Sequence, residues 1–575
     1  MEVRGVGVGC VMRRHVIESR DDRQRRDALL FFLLHNWLVR YSRIHAPDLR
    51  KSQSQGILDE IRAATWQRQD FDSMRHPMTR AEATTLPHLI GSVKHRSTGG
   101  AIRINVNPGT GEEISSVPLD DVDAAERAVR SAANAYAGWS QTPVGDRIQH
   151  LFKYKTVLES HIEELAGIIV KEHGKTTGEA IGSVRRGIDC IEHACGAPIL
   201  MMGRTLPRIA VSSSFCRTQN EGDVGLDSSV DRLPLGVCVG ITPFNFPMMV
   251  PLWMWPMAVA CGNTFVLKPS ERDPQAAIRA IELANEAGFP EGVLNLVHGG
   301  PNVVNHLIKH DEVKAVSFVG STQAGKYIYS TGSAHDKRVQ CMCGAKNFSI
   351  IMPDANRGAA IDGVFGSAFG NTGQRCLAGS VVVAVGDAAD WLVPGLAERA
   401  ESVVVGKGDD KGTQMGPLQD PAARDRVLQY IGQGVEEGAC LVVDGRTASM
   451  PSEGCFVGPT IFDNTTSAMS IVREEIFGPV LSVMRAQTLD EAVAFVNESE
   501  YGNMSVLFTD SGHAAHRFET TVQAGMIGIN VGVPAPMAAF PFAGWKKSFF
   551  GDLHTNGEDG VRFFTKSRVT VRRWI

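Results

Sequence analysis

The chain has 575 residues, a net charge of −5, 43% hydrophobic and 21% charged residues. That length exceeds one ordinary core, so two or more domains are expected, and the composition is that of a globular enzyme. The absence of a basic surplus speaks against a nucleic-acid partner. No apolar run approaches the roughly 18–20 residues of a membrane-spanning helix.

Residues 1 to about 77 read differently from the rest. Arg13-Arg14 and Arg25-Arg26 alternate with Glu18, Asp21 and Asp22, a poor match to an acid-poor organelle-targeting peptide, which leaves a targeting segment, a flexible appendage and translation from an upstream start as the readings. A weakly ordered N-terminal extension is expected there, with Met74 and Met78 as alternative starts. From Leu86 the pattern becomes regular. Pro108 to Glu112 is turn chemistry, Asp120 to Trp139 an amphipathic helix with Asp120 or Asp121 as N-cap. Asp146 to His173 and Gly178 to Met202 read as continuous helices, and Arg204 to Arg232 as polar, Ser-rich and irregular.

Short apolar strands and helices then alternate. Strands are expected over Gly236–Ile241, Thr264–Leu267, Val293–Val297 and Val313–Phe318. Helices are expected over Pro251–Ala260, Pro274–Ala287, Pro301–Lys309 and Thr322–Ser330. This alternation predicts an α/β fold with a parallel sheet covered on both faces. A second alternating set follows Gly344, and Ser567 to Trp574 reads as a strand with exposed β-branched residues, suited to pairing across subunits. The 11 cysteines are scattered, odd in number and include no CxxC pair, which favours a reducing, intracellular compartment. The cytoplasm is the first expectation and the mitochondrial matrix the alternative. Cys341 and Cys343, two apart on a strand, read as a structural pair and not a metal site.

Chemistry concentrates in the glycine-rich run Gly370 to Gly379, which carries Cys376. Glycines allow backbone N–H groups close to a ligand, and a cation such as the neighbouring Arg375 favours the nucleophilic thiolate. Gly320 to Gly325 joins a strand to a helix, where exposed N–H groups can hold a pyrophosphate. Lys268 and Glu271 follow a strand end, where such a pair can bind ribose hydroxyls.

Five runs stand in a telling order: Ile241-Thr-Pro-Phe-Asn-Phe-Pro247, Cys261 to Glu271, Ser317 to Gly325, the Cys376 run, and Glu474-Glu-Ile-Phe-Gly-Pro-Val480. Together they resemble the aldehyde dehydrogenase superfamily, from about Leu86 to the C-terminus. Met248 to Met257, Gly344 to Asn347 and Met352 to Ala355 resemble its coenzyme-A-acylating branch, the methylmalonate-semialdehyde dehydrogenases.

The resemblance implies a Rossmann-like nucleotide-binding domain (86–344, with an arm at about 208–233), an α/β catalytic domain (345–543) and a C-terminal oligomerisation segment (544–575). It implies a homotetramer, NAD as cofactor, coenzyme A as co-substrate and a small semialdehyde as substrate. Cys376 would be the nucleophile and Asn245 an oxyanion donor. Thr242, Phe244, Lys268, Glu271, Arg272, Ser321, Glu475 and Phe477 would line the cofactor site. A carboxylate at Glu271 favours NAD over NADP, and Arg272 beside it weakens that preference. Arg186 (or its neighbour Arg185) and Arg375 would meet the substrate carboxylate. Hydrolytic members carry a general-base Glu in a Glu-x-Gly-Gly-Lys-like run; here the aligned position is Met342, which cannot accept a proton. Two departures from the branch pattern bear on the pocket wall: Phe348 stands where His is usual, and Asn371-Thr372 replace small residues.

Overall fold

The computed structural model describes residues 85–97, 100–210 and 226–573. The N-terminal extension lies outside the described residues, as does the middle of the arm, 211–225. No described helix is long and apolar enough to cross a membrane.

Two sheets organise the rest. The first has eight strands in the order Val93–His95, His88–Ile90, Leu294–Leu296, Thr264–Lys268, Val237–Ile241, Val313–Val319, Arg338–Met342 and Phe549–Phe550. Its five central strands are parallel, and the outer pairings are antiparallel. Val237–Ile241 and Thr264–Lys268 are buried along their whole length, as expected of strands covered on both faces. From Val237–Ile241 the chain first builds outward on one side and then, with Val313–Val319, on the other. The crevice at such a reversal, at the strands' carboxyl ends, is where α/β sheets bind ligands.

The second sheet has seven strands: Cys440–Val443, Thr460–Asp463, Val480–Ala486, Val381–Val385, Phe348–Ile351, Met504–Phe508 and Met526–Ile529. All are parallel except the antiparallel Cys440–Val443. The connection between the two sheets runs from Cys343 to Asn347.

The helix Val122–Trp139 is capped by Asp121, whose side chain accepts from the Ala124 N–H at 2.9 Å. Ala124, Ala125, Ala128, Val129 and Ala132 form its buried stripe. Two helices expected to be continuous are broken. The first divides into Val144–Ser160 and Ile162–His173, because His161 leaves helical geometry and bonds its ring Nδ1 back to the Val157 carbonyl at 2.7 Å. The second divides into Thr177–Cys195 and Ala197–Leu200 at Gly196, just ahead of Pro198.

The arm is also more regular than its composition predicts. Arg204–Ala210 and Leu226–Pro234 are antiparallel strands, and Thr565–Arg573 adds a third beside Leu226–Pro234. The C-terminal strand therefore pairs within its own chain, in a nine-residue register that sequence alone could not fix. Its Val569 and Val571 stay 65% and 58% exposed, so one face of this small sheet is apolar and uncovered in the single chain.

Candidate active site

At the crevice lies a cavity of about 820 Å³. Its lining includes Thr242, Phe244, Asn245, Lys268, Glu271, Arg272, Ser321, Cys376, Glu475 and Phe477. Ten of the sequence-derived site residues thus meet around one space. Arg186 and Arg375 do not line it.

The nucleotide side is built from strand ends. Lys268, the last residue of its strand and 5% exposed, reaches Glu271 at 2.8 Å. Burial raises the Glu271 carboxyl, but the Lys268 charge and hydrogen bond outweigh it and hold the group below its ordinary value. Arg272 is matched elsewhere: it pairs with Asp420 at 3.4 Å and lies 5.0 Å from the centroid of the Phe244 ring. Ser321 caps the helix Thr322–Ala334, accepting from the Ala324 N–H, so the positive end of that helix opens on the cavity. Thr242 is 4% exposed and its hydroxyl oxygen has no hydrogen-bond partner among the described residues. A buried hydroxyl that faces a cavity with no such bond suits the polar atom of a ligand.

A helix wall is pinned from outside. His306 and His310 both place Nε2 at 3.1 Å from one Glu126 carboxylate oxygen. The His310 Nδ1 accepts from the Glu312 N–H at 3.1 Å, so its proton sits on Nε2 and donates to Glu126. That tautomer is a hydrogen-bond donor, not a metal ligand. It ties His310, the residue that ends the helix Pro301–Lys309, to Glu126 on Val122–Trp139, and that helix lines the cavity through Pro301, Val304 and Asn305.

Glu475 and Phe477 close the far end. The Glu475 carboxylate accepts from the Ala345 N–H at 3.0 Å, and burial raises its pKa. A Cβ at Gly344 would lie 2.6 Å from a Glu475 carboxylate oxygen and 2.7 Å from the Thr322 hydroxyl, so any larger residue there would displace these side chains. Phe477 takes a left-handed φ of 55°, strained for an aromatic residue, and sets its ring edge-on to Phe244 at 5.8 Å. Lys346, 2% exposed, donates to the Ile471 and Glu474 carbonyls at 2.8 Å each and fixes this loop.

The thiol loop is held by side chains bonding backbone. Asn371, Thr372 and Gly373 are three consecutive left-handed residues, with φ of 52°, 55° and 71°. The two non-glycine members are stabilised by bonds from Asn371 to the Gln374 carbonyl (3.0 Å) and from Thr372 to the Gly416 carbonyl (2.8 Å). Asn245 also donates one amide N–H to the Gln374 carbonyl, at 3.0 Å. The Cys376 carbonyl accepts from Asn347 (2.9 Å) and Asn503 (2.8 Å), which fixes the plane of the following peptide. Burial, then Glu475, push the thiol up to about 11, against backbone N–H groups and Lys175, which favour thiolate.

The cation expected beside the thiol is committed elsewhere. Arg375 pairs with Glu179 at 2.9 Å, and Glu179 also accepts from the Asn371 N–H at 2.6 Å. Arg186 is exposed and donates to the Pro536 carbonyl at 3.1 Å. Sequence reasoning missed Glu179, Asn347 and Asn503. Glu179 carries a local signal, the capping box with Thr176; Asn503 carries none. Met342 is 3% exposed in the core.

A dinucleotide-sized cleft at strand ends, with a thiol at its edge, defines a thiol-dependent dehydrogenase site. The chain belongs to the aldehyde dehydrogenase family, whose model matches residues 96–570. It is 50% identical over 491 residues to malonate-semialdehyde dehydrogenase 1 of Geobacillus thermodenitrificans, covering 85% of this chain and 99% of that one. Its structure is similar to that of methylmalonate-semialdehyde dehydrogenase from Oceanimonas doudoroffii, with a TM-score of 0.82, 44% identity, and coverage of 86% and 99%. It is also similar to an NAD+ complex of an aldehyde dehydrogenase from Bacillus cereus, with a TM-score of 0.79, 31% identity, and coverage of 85% and 96%.

Proposed function

We propose that this chain is an NAD-dependent, coenzyme-A-acylating dehydrogenase of malonate or methylmalonate semialdehyde. Met342 carries the reading: where the hydrolytic pattern has a general base, this chain has a buried thioether. The two carboxylates in the cavity are engaged, Glu271 by Lys268 and Glu475 by the Ala345 N–H. The names of the similar proteins support the substrate class.

The residues present fit NAD. Lys268 and Glu271 would take the adenosine ribose, the Ser321 helix start the pyrophosphate, Glu475 the nicotinamide ribose, and Thr242 has an unpaired hydroxyl to offer. NAD bound there supplies the hydride acceptor.

In this reading the Cys376 thiolate attacks the aldehyde carbon. The oxyanion is met by the Cys376 N–H and by the second amide N–H of Asn245, one of whose two is given to Gln374. Loss of hydride leaves a thioester on Cys376. The substrate carboxylate is then β to a thioester carbonyl; its C–C bond breaks, CO₂ leaves, and the same donors hold the enolate until it is protonated. Coenzyme A thiolate displaces Cys376 and carries off acetyl or propionyl. Arg375 and Arg186 would recognise the carboxylate; Arg186 lies two helical turns along from Glu179, the partner of Arg375.

The test is product analysis with each semialdehyde and NAD, with and without coenzyme A. Acyl-CoA, CO₂ and NADH are expected together, and Cys376→Ala should lose roughly 10⁴-fold or more of the NADH rate. Free carboxylic acid forming equally fast without coenzyme A would identify a hydrolytic enzyme instead.

A further inference from the structure

Glu179 is the third residue of the helix Thr177–Cys195 and forms a capping box with Thr176. Its Oε2 accepts from the Thr176 hydroxyl at 3.1 Å and from the Thr176 N–H at 3.4 Å. A capping box asks no more of its carboxylate than that. The other oxygen, Oε1, is turned to the thiol loop, where it accepts from the Asn371 N–H at 2.6 Å and from Arg375 Nη2 at 2.9 Å. These partners lie 192 and 196 residues further along the chain. Four donors on two oxygens fill the lone pairs of an ionised carboxylate, which no neutral side chain can match.

The guanidinium so held has little freedom. Its Nη1 donates to the Gly366 carbonyl at 3.4 Å. It also lies against Gly370, where a Cβ would come within 2.6 Å of Cζ. These bonds to Glu179 and Gly366 leave the rest of the five guanidinium N–H groups for a ligand. Arg375 is absent from the lining of the nucleotide cavity, although the adjacent Cys376 belongs to it, so these N–H groups are not offered to the cofactor. Arg186 lies two helical turns beyond Glu179 on the same face of the same helix.

We propose that Glu179 is a positioning residue for recognition of the substrate carboxylate: it ties the Arg375 guanidinium to the helix that also carries Arg186. This rests on the proposed function, in which the aldehyde bears a carboxylate that Arg375 meets. An arginine loses rotamer freedom when it binds a carboxylate, and Glu179 has removed that freedom before the substrate arrives.

The experiment compares malonate and methylmalonate semialdehydes with acetaldehyde and propanal, the same aldehydes without the carboxylate, at saturating NAD and coenzyme A. Glu179→Ala should lower kcat/KM for the semialdehydes about tenfold more than for acetaldehyde and propanal, chiefly through a higher KM. In an Arg375→Ala background the same change should leave that ratio within about twofold, because Glu179 acts through Arg375. Should Glu179→Ala fail to fold, Glu179→Gln replaces it, which keeps the size and one accepting oxygen. A frayed helix start or a displaced thiol loop would slow all four aldehydes alike. That result, or a further change of the ratio in the double variant, overturns the role of Glu179. An unaltered enzyme with no preference for the carboxylated aldehydes overturns the proposed substrate class instead, a distinct result that needs no variant.

Discussion

The cleft wall from Val237 to Glu271 is made of strands buried end to end and one short ion pair at a strand terminus. The thiol-bearing stretch from Gly370 to Gly379 has only a single irregular turn, three consecutive left-handed residues, and a set of side-chain amides clamping its carbonyls. The first region positions groups by ladder register, which many backbone bonds share. The second positions one sulfur atom by a few contacts drawn from far along the chain: Asn245, Asn347 and Asn503 lie 129, 29 and 127 residues from the carbonyls they hold. The cleft surface thus follows from topology, and the placing of the thiol from a small loop held by a few side-chain bonds.

That contrast can be broken at single residues. The largest effect is expected in the loop's surroundings: Asn245→Ala should lower kcat by roughly 10²–10³-fold while NAD affinity is unchanged. A comparable loss of NAD binding would mean that Asn245 serves the cleft as a whole. A smaller effect is expected on the strand-end side, where Glu271→Gln should raise the KM for NAD about tenfold, leave kcat within about twofold and narrow the preference over NADP. A fall in kcat with unchanged KM would show that the two regions are not separable in this way.

A third test concerns stability. Glu172 is buried, and its carboxyl is raised to about 8 from an ordinary 4.5. Between those values the folded state holds the proton that the unfolded state has lost, so stability falls as pH rises through this window. Glu172→Gln removes the term. Its thermal midpoint should fall less than that of the unaltered protein between about pH 5 and pH 8. Parallel slopes would show that Glu172 is ionised in the folded protein.

Much of the cleft was readable from the chain, because strand ends and helix starts are local. The strand Thr264–Lys268 places Lys268 at the crevice, and the Gly320–Gly325 run joins the strand Val313–Val319 to the helix Thr322–Ala334 as expected. The loop was half readable. Cys376 and Asn245 stand out in their motifs, yet the pairing of Arg375 with Glu179 and the clamp by Asn503 depend on segments brought together only by packing. The arm misled for a related reason: a polar, Ser-rich stretch carries little periodicity, and its strands are specified by pairing with Thr565–Arg573 at the other end of the chain.

By itself the sequence determined the order of most strands and helices, singled out Cys376 as the candidate thiol and placed a methionine with no proton-accepting group at position 342, since these depend on side-chain chemistry and short-range spacing. Only the tertiary structure decided where the charges fall. Ion pairing acts over a few ångströms of space, not over sequence separation, so Arg375 is drawn to Glu179, 196 residues earlier in the chain.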